Sequence, residues 1–384
     1  MSKPLKVVLW VLIVAGFVFG YAGFIFPDQS PFVHTPPQAR YQFQRLHIFL
    51  FNLVSGGTIL IYFTEGQGRL SRRGWLFLAF SLICSVAAFL DEFVWAILAA
   101  VVMVGIVESV RVRFFPRIPL DFFKFSTPVS CKFHYAAVLC LSIGLLLSAT
   151  VMVNNQYLHL IDLPTLILNN FFLGFSFPLS LITFAVMFSM MHEDTGRWSQ
   201  ILREASFWIV TVGVIVFFVV ILLKIFVAEL FMAFLLLADV LLIFTLFMRE
   251  SRHLYQEAFF TSGLVFLVAT SLTGILIILW PLWYPHDQGA TWELLYRMHA
   301  YLSLCGWNLS GLTVISRYPD FPLKVHETGI ILAHWATIAL LSPLGNLYYL
   351  FALTAIPLFA ALMWLIFFSP GYGKDGKVRL ETTV

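Results

Sequence analysis

Apolar runs long enough to cross a membrane recur along the whole chain, and the polar intervals between them are too short to fold alone. A bilayer core about 30 Å thick is crossed by roughly 20 helical residues. The sequence therefore predicts an all-α, polytopic membrane protein. Composition agrees: of 384 residues, 60% are hydrophobic and 11% charged, against about a quarter charged in soluble domains. No interval is left for a soluble domain, so residues 1–384 read as a single integral membrane domain. The net charge of +3 comes from loop Lys and Arg, without the basic tract or aromatic-interleaved patch that binds nucleic acid.

Hydropathy places about twelve spans, near 5–26, 44–63, 74–90, 93–110, 133–153, 166–191, 206–224, 228–248, 258–282, 295–315, 328–342 and 347–368. Only Asp91 and Glu92 divide the third from the fourth, which read equally as one bent hairpin. The first run has the charge order of a signal sequence but is long and has no small-x-small cleavage site, so it is expected to remain as a span. Lys and Arg accumulate in cytoplasmic loops. Here Arg69, Arg72 and Arg73 follow the second span, Arg111, Arg113, Arg117, Lys124 and Lys132 the fourth, and Arg197 and Arg203 the sixth. Arg249 and Arg252 follow the eighth, Arg317 and Lys324 the tenth, and Lys374, Lys377 and Arg379 the twelfth. Loops after odd-numbered spans carry chiefly Arg40, Arg45 and Arg297. Both termini are therefore expected in the cytoplasm, and the chain in a bacterial inner membrane with the lipid bilayer as its surroundings. Cys84, Cys131, Cys140 and Cys305 form no C-x-x-C or zinc spacing and read as packing residues.

Topology sorts the ten histidines. His47 and His299 each open an even-numbered span, so both are expected about one turn inside the membrane on the outer side. Polar groups in a membrane interior are functional candidates by default, and neutral imidazole is a good iron ligand. Arg45-Leu-His47 and Arg297-Met-His299 echo one another, although Lys132-Phe-His134 and Lys324-Val-His326 share the local form. At helical spacing below His299 come Ser303, Gly306, Ser310 and Thr313. Below His47 come Ser55 and Thr58, with Gly56 and Gly57 adjacent. Such small residues leave a slot for a flat macrocycle, with Arg45 and Arg297 placed to reach haem propionates. They equally let membrane helices approach closely, and a His or Arg near a helix end can simply sit at the interface.

Twelve spans, cytoplasmic ends and a histidine near the outer end of the second and tenth resemble subunit I of the haem-copper oxidases, whose low-spin haem is held by one histidine on each of those helices. In size, and in the stretch from Arg297-Met-His299-Ala300 through Gly306 to Thr313-Val314-Ile315-Ser316-Arg317, the chain is similar to the NnrS-like haem membrane proteins associated with nitric oxide stress. The H-x-H-E signature of NnrS is here only Arg45-Leu-His47-Ile48-Phe49. The resemblance implies one low-spin haem b on His47 and His299, an electron-donor protein as partner, and electron transfer or a nitric oxide response as the role. It implies no copper-haem binuclear centre. The sixth span has no histidine, the chain has no His-His dipeptide, and Arg297 stands where a second haem ligand would be.

Other placements remain as lesser expectations: copper on the loop residues His34, His159 and His286, or a second haem among His134, His326 and His334. His192 and His253 read as solvated. Asp239 lies midway along the eighth span and must find a partner or carry a proton. The alternative function is a twelve-helix secondary transporter with Asp239, Asn169, Asn170 and Asn308 along its path, but the halves show no repeat.

Overall fold

The computed structural model describes residues 1–21, 43–66, 68–161, 172–192, 196–252, 256–284, 289–318, 321 and 327–370. The described residues form 12 helical rods, of which nine are long and apolar enough to cross a membrane. In chain order, α1 is Lys3–Phe19. The second rod, α2, runs without a break through Phe43–Ile48, Phe49–Gly57 and Thr58–Glu65. Next come α3 (Arg72–Phe89), α4 (Phe93–Phe114), α5 (Val129–Leu158) and α6 (Phe172–Ser176 and Phe177–Ser189). They are followed by α7 (Arg197–Leu223), α8 (Phe226–Glu250) and α9 (Glu257–Trp283). The rod α10 joins Ala290–Tyr301, Leu302–Asn308 and Leu309–Ser316; α11 is Thr328–Gly345 and α12 is Tyr349–Phe368.

Local chemistry sets the boundaries. Ser71 caps α3, its Oγ accepting from the Gly74 N–H at 3.0 Å. Gly66, in the left-handed region at φ 59°, ends α2. Asp91 takes the same region at φ 60° and turns the apolar stretch 72–114 into two helices, α3 and α4, that pack on each other as a hairpin.

Packing arranges the helices as three arcs of four. In the first, α11, α12, α1 and α2 pack in succession; the second runs α3 to α6 and the third α7 to α10. Each arc ends in a helix that contacts the last helix of the other two, so α2, α6 and α10 form a central trio. Their burial follows: every residue of α2 from Ile48 to Tyr62 is buried, and so is α6 from Gly174 to Phe188 apart from Ser180. The outer helices keep exposed apolar faces, such as Val94, Trp95, Leu98 and Val101 on α4, as expected where the surroundings are lipid.

The two ends of the bundle differ. At the end where even-numbered helices finish, here the lower end, charges are buried in pairs: Lys132 Nζ lies 2.7 Å from Glu204, and Arg203 pairs with Glu250. Arg317 is buried there and donates to the Ile366, Phe367 and Ser369 carbonyls, closing the C-terminus of α12 where the helix dipole favours a cation. The four cysteines are free thiols, buried or half-buried.

Backbone meets backbone between α5 and α6, where a Cβ on Gly144 would lie 2.3 Å from the Gly174 Cα. Backbone cannot move aside as a side chain can. Gly144→Val is expected to destabilise the fold by about 1–3 kcal/mol, seen as a lower thermal midpoint in detergent. Gly105→Ala, on an exposed face of α4 with nothing within 4 Å of the new methyl, is expected to leave the midpoint unchanged or raise it.

Candidate functional site

The upper end, where odd-numbered helices finish, brings the two singled-out histidines to one side of the bundle. His47, in the first segment of α2, places Nδ1 2.6 Å from the Gly16 carbonyl of α1. His299, near the end of the first segment of α10, places Nδ1 3.0 Å from the Thr270 carbonyl of α9, with Thr273 Oγ1 at 3.3 Å. A carbonyl only accepts, so the hydrogen-bond network assigns the proton of each ring to Nδ1 and leaves Nε2 with its lone pair. Neither Nε2 has a hydrogen-bond partner among the described residues. Both rings are half-buried, although the residues flanking His47, Leu46 and Ile48, are buried.

The surroundings of the two rings repeat. A Cβ on Gly20 would meet His47 Nδ1 at 3.3 Å, and one on Gly274 would meet His299 Cε1 at 3.1 Å. In each case the glycine stands four residues after the accepting carbonyl, Gly16 to Gly20 and Thr270 to Gly274. The absent side chain lets the imidazole lie against the preceding helix and reach its backbone. Each histidine also stands just above a π-helical stretch, Phe49–Gly57 in α2 and Leu302–Asn308 in α10. Such stretches are frequent at functional sites.

Below the histidines, α2 and α10 pack together through Thr58–Glu65 and Leu309–Ser316. The segments that carry the histidines do not pack on each other as a pair. Phe43–Ile48 leans on α1 and α3, and Ala290–Tyr301 on α9 and α11. The helices are thus joined low down and held apart by their own neighbours at the level of the rings.

Arg297 belongs to this end. Its Nη1 donates to Asn346 Oδ1 at 2.6 Å and its Nη2 to Glu293 Oε1 at 3.1 Å. Asn346 Nδ2 in turn donates to the Tyr301 hydroxyl at 3.0 Å and the Ser342 carbonyl at 3.1 Å, and the Tyr21 hydroxyl donates to the same carbonyl at 3.2 Å. The Tyr21 and Tyr301 rings stack with centroids 6.3 Å apart. Arg45 lies in the first segment of α2, but its side chain is outside the described residues. Sequence reading missed Gly20, Gly274, Tyr21, Tyr301 and Asn346. The signal for the glycines was their position near the outer ends of α1 and α9, each facing the histidine-bearing start of the next helix.

One expectation needs correction. The glycines below the histidines do not line a slot. Gly56 receives Leu179, Gly57 receives Phe77, Gly306 receives Phe266 and Gly311 receives Thr183. The reason is helical phase: projection at 3.6 residues per turn fails through the π stretches, whose bonds run i to i+5. Ser55 shows it, donating to the carbonyl of Leu50, five residues back, at 2.8 Å. Ser303, above most of that stretch, is the one predicted lining residue that stays half-buried like His299; Ser55, Thr58, Ser310 and Thr313 are all buried.

The other histidines differ from the pair. His134 Nε2 is engaged by Thr64 Oγ1 at 2.9 Å, beside Phe63 and Phe115. His334 donates Nε2–H to the Cys305 carbonyl at 2.9 Å and stacks on Phe259. Each sits in its own aromatic surround with Nε2 spent, so the structure does not bring them together as a second haem site; His326 is outside the described residues. Of the suggested copper ligands only His159 is described, exposed at φ 49°, with His34 and His286 outside, as is His253. Among the described residues no three His, Cys, Asp or Glu side chains are grouped to chelate a bare ion.

No known protein family, curated protein or solved structure matches the chain.

Asn346 makes three hydrogen bonds, two that tie α10 to the end of α11, with Arg297 and Tyr301, and one within α11, to the Ser342 carbonyl. Asn346→Ala removes all of them and leaves Arg297 with Glu293 as its remaining partner of those described above, so a loss of about 1–3 kcal/mol is expected. Glu293→Gln, at the wetter side of Arg297, is expected to cost less than about 1 kcal/mol. Thermal unfolding in detergent separates the two.

Proposed function

We propose that the chain is a haem-binding inner-membrane protein in which His47 and His299 ligate one low-spin haem b near the periplasmic face. The observation that carries this reading is the matched pair of imidazoles at one end of the bundle, each with Nδ1–H fixed on a backbone carbonyl and Nε2 free. Metal-bound histidine almost always donates its other ring N–H in this way, which fixes the tautomer and raises the basicity of the ligating nitrogen. A bare ion needs three or four protein ligands, whereas two suffice when a macrocycle supplies the rest.

The remaining residues fit the same reading. The segments that carry the rings pack chiefly on their own neighbours, and Gly20 and Gly274 let the Nδ1 edge of each ring reach its supporting helix. Arg297, held by Glu293 and Asn346, offers a fixed cation to carboxylates near His47, and Arg45 is its counterpart on α2. Bound haem supplies one-electron transfer. With His47 and His299 both holding the group, the role would be electron transfer or a nitric oxide response, with a donor protein as partner, rather than turnover at a binuclear centre. Twelve spans with both termini cytoplasmic complete the proposal, supported by the alternation of Lys and Arg along the chain. The transporter alternative has less support, because packing into three arcs around α2, α6 and α10 is unlike two bundles of six.

Reduced-minus-oxidised spectra of the purified protein are expected to show a b-type signal, lost or greatly reduced in His47→Ala and in His299→Ala. Gly274→Val keeps both ligands but pushes on the His299 ring, and a 10- to 100-fold weaker haem affinity is expected, the scale of outer-shell effects. A wild-type protein without the signal, or a double-alanine variant that retains it, contradicts the proposal.

A further inference from the structure

We propose that Asp239 is a proton-binding site within the membrane, separate from the histidine pair and built between α7 and α8. Asp239 stands midway along Phe226–Glu250 and is only 3% exposed, and neither carboxyl oxygen has a hydrogen-bond partner of good geometry among the described residues. The Ser206 hydroxyl of α7, fully buried and also without such a partner, faces it.

Among the described residues no cation pairs with the carboxyl. The helices that pack on α8 are α7 and α9. On α7 the charged residues Arg197, Arg203 and Glu204 lie near its start, with Lys224 just past its end; α9 has only Glu257, in its first turn. On α8 itself, Glu229 is in the first turn and Arg249 and Glu250 in the last. None is level with Asp239. An ionised carboxylate buried without a partner costs many kcal/mol, so the group takes up a proton instead.

The geometry gives that proton a way in. Ser206 stands one turn from Arg203, which pairs with Glu250 at the lower end, where Ser199 Oγ also donates to Glu250 at 2.5 Å. Ser199, Arg203 and Ser206, at i, i+4 and i+7, share one face of α7 between the lower surface and Asp239. A carboxyl whose proton exchanges by that route is a proton store in the bilayer, available to balance charge changes elsewhere in the bundle. The inference does not rest on haem binding.

The test uses full-length protein in liposomes. Infrared difference spectra of wild type minus Asp239→Asn are expected to show a protonated carboxylic acid carbonyl band at neutral pH. The band should fade at strongly alkaline pH, and its frequency should shift in Ser206→Ala. Dicyclohexylcarbodiimide, which reacts with protonated carboxyls in apolar surroundings, should modify Asp239, with peptide mass analysis showing loss of the adduct in Asp239→Asn. A carboxylate band at neutral pH, or an acid band that persists at every pH, overturns the proposal.

Discussion

The haem proposal depends on one hydrogen bond made twice: an imidazole N–H given to the backbone carbonyl of the preceding helix. A helix carbonyl already accepts from the N–H four residues on, so a second donor needs access from the side. Gly20 and Gly274 provide that access by leaving no Cβ in the way. Without the bond, each ring is a polar group in apolar surroundings with two tautomers and several rotamers open to it. With it, the ring has one tautomer, one orientation and one unspent nitrogen.

The larger fold serves this arrangement by controlling where helices meet. The trio α2, α6 and α10 packs tightly low in the bundle, where Gly56 and Gly311 accept Leu179 and Thr183 of α6. Higher up, the histidine-bearing segments of α2 and α10 pack chiefly on their own neighbours, α1 and α3 for α2 and α9 and α11 for α10. The buried ion pairs and the Arg317 cap at the lower end fasten helices of different arcs or neighbouring rods together. Asp239 lies outside this scheme, on a helix pair at the periphery, which is why it reads as a site of its own.

Much of this was legible in the sequence because membrane chemistry is restrictive. Long apolar runs admit little but helices, so most rods came within a few residues of their observed bounds; α1 ends at Phe19 rather than 26, and α7 begins at Arg197 rather than 206. Asp91 was visible as a break, but whether it bent or divided the stretch depended on its left-handed backbone, which sequence does not display. His47 and His299 were found by depth and side alone. Their supports were not, since Gly16, Gly20, Thr270 and Gly274 sit on other helices and matter only through tertiary contact. The small residues beneath the histidines were misread because a fixed 3.6-residue period was carried through π-helical stretches that change the phase.

The most direct test of the account is electron paramagnetic resonance of the oxidised protein, purified from haem-sufficient cells, beside its His47→Ala and His299→Ala variants. Two histidine ligands predict a low-spin ferric signal at one haem per chain, with loss of haem or conversion to high spin in each single variant. A low-spin signal that survives in both variants, or a protein that takes up no haem at all, would contradict it.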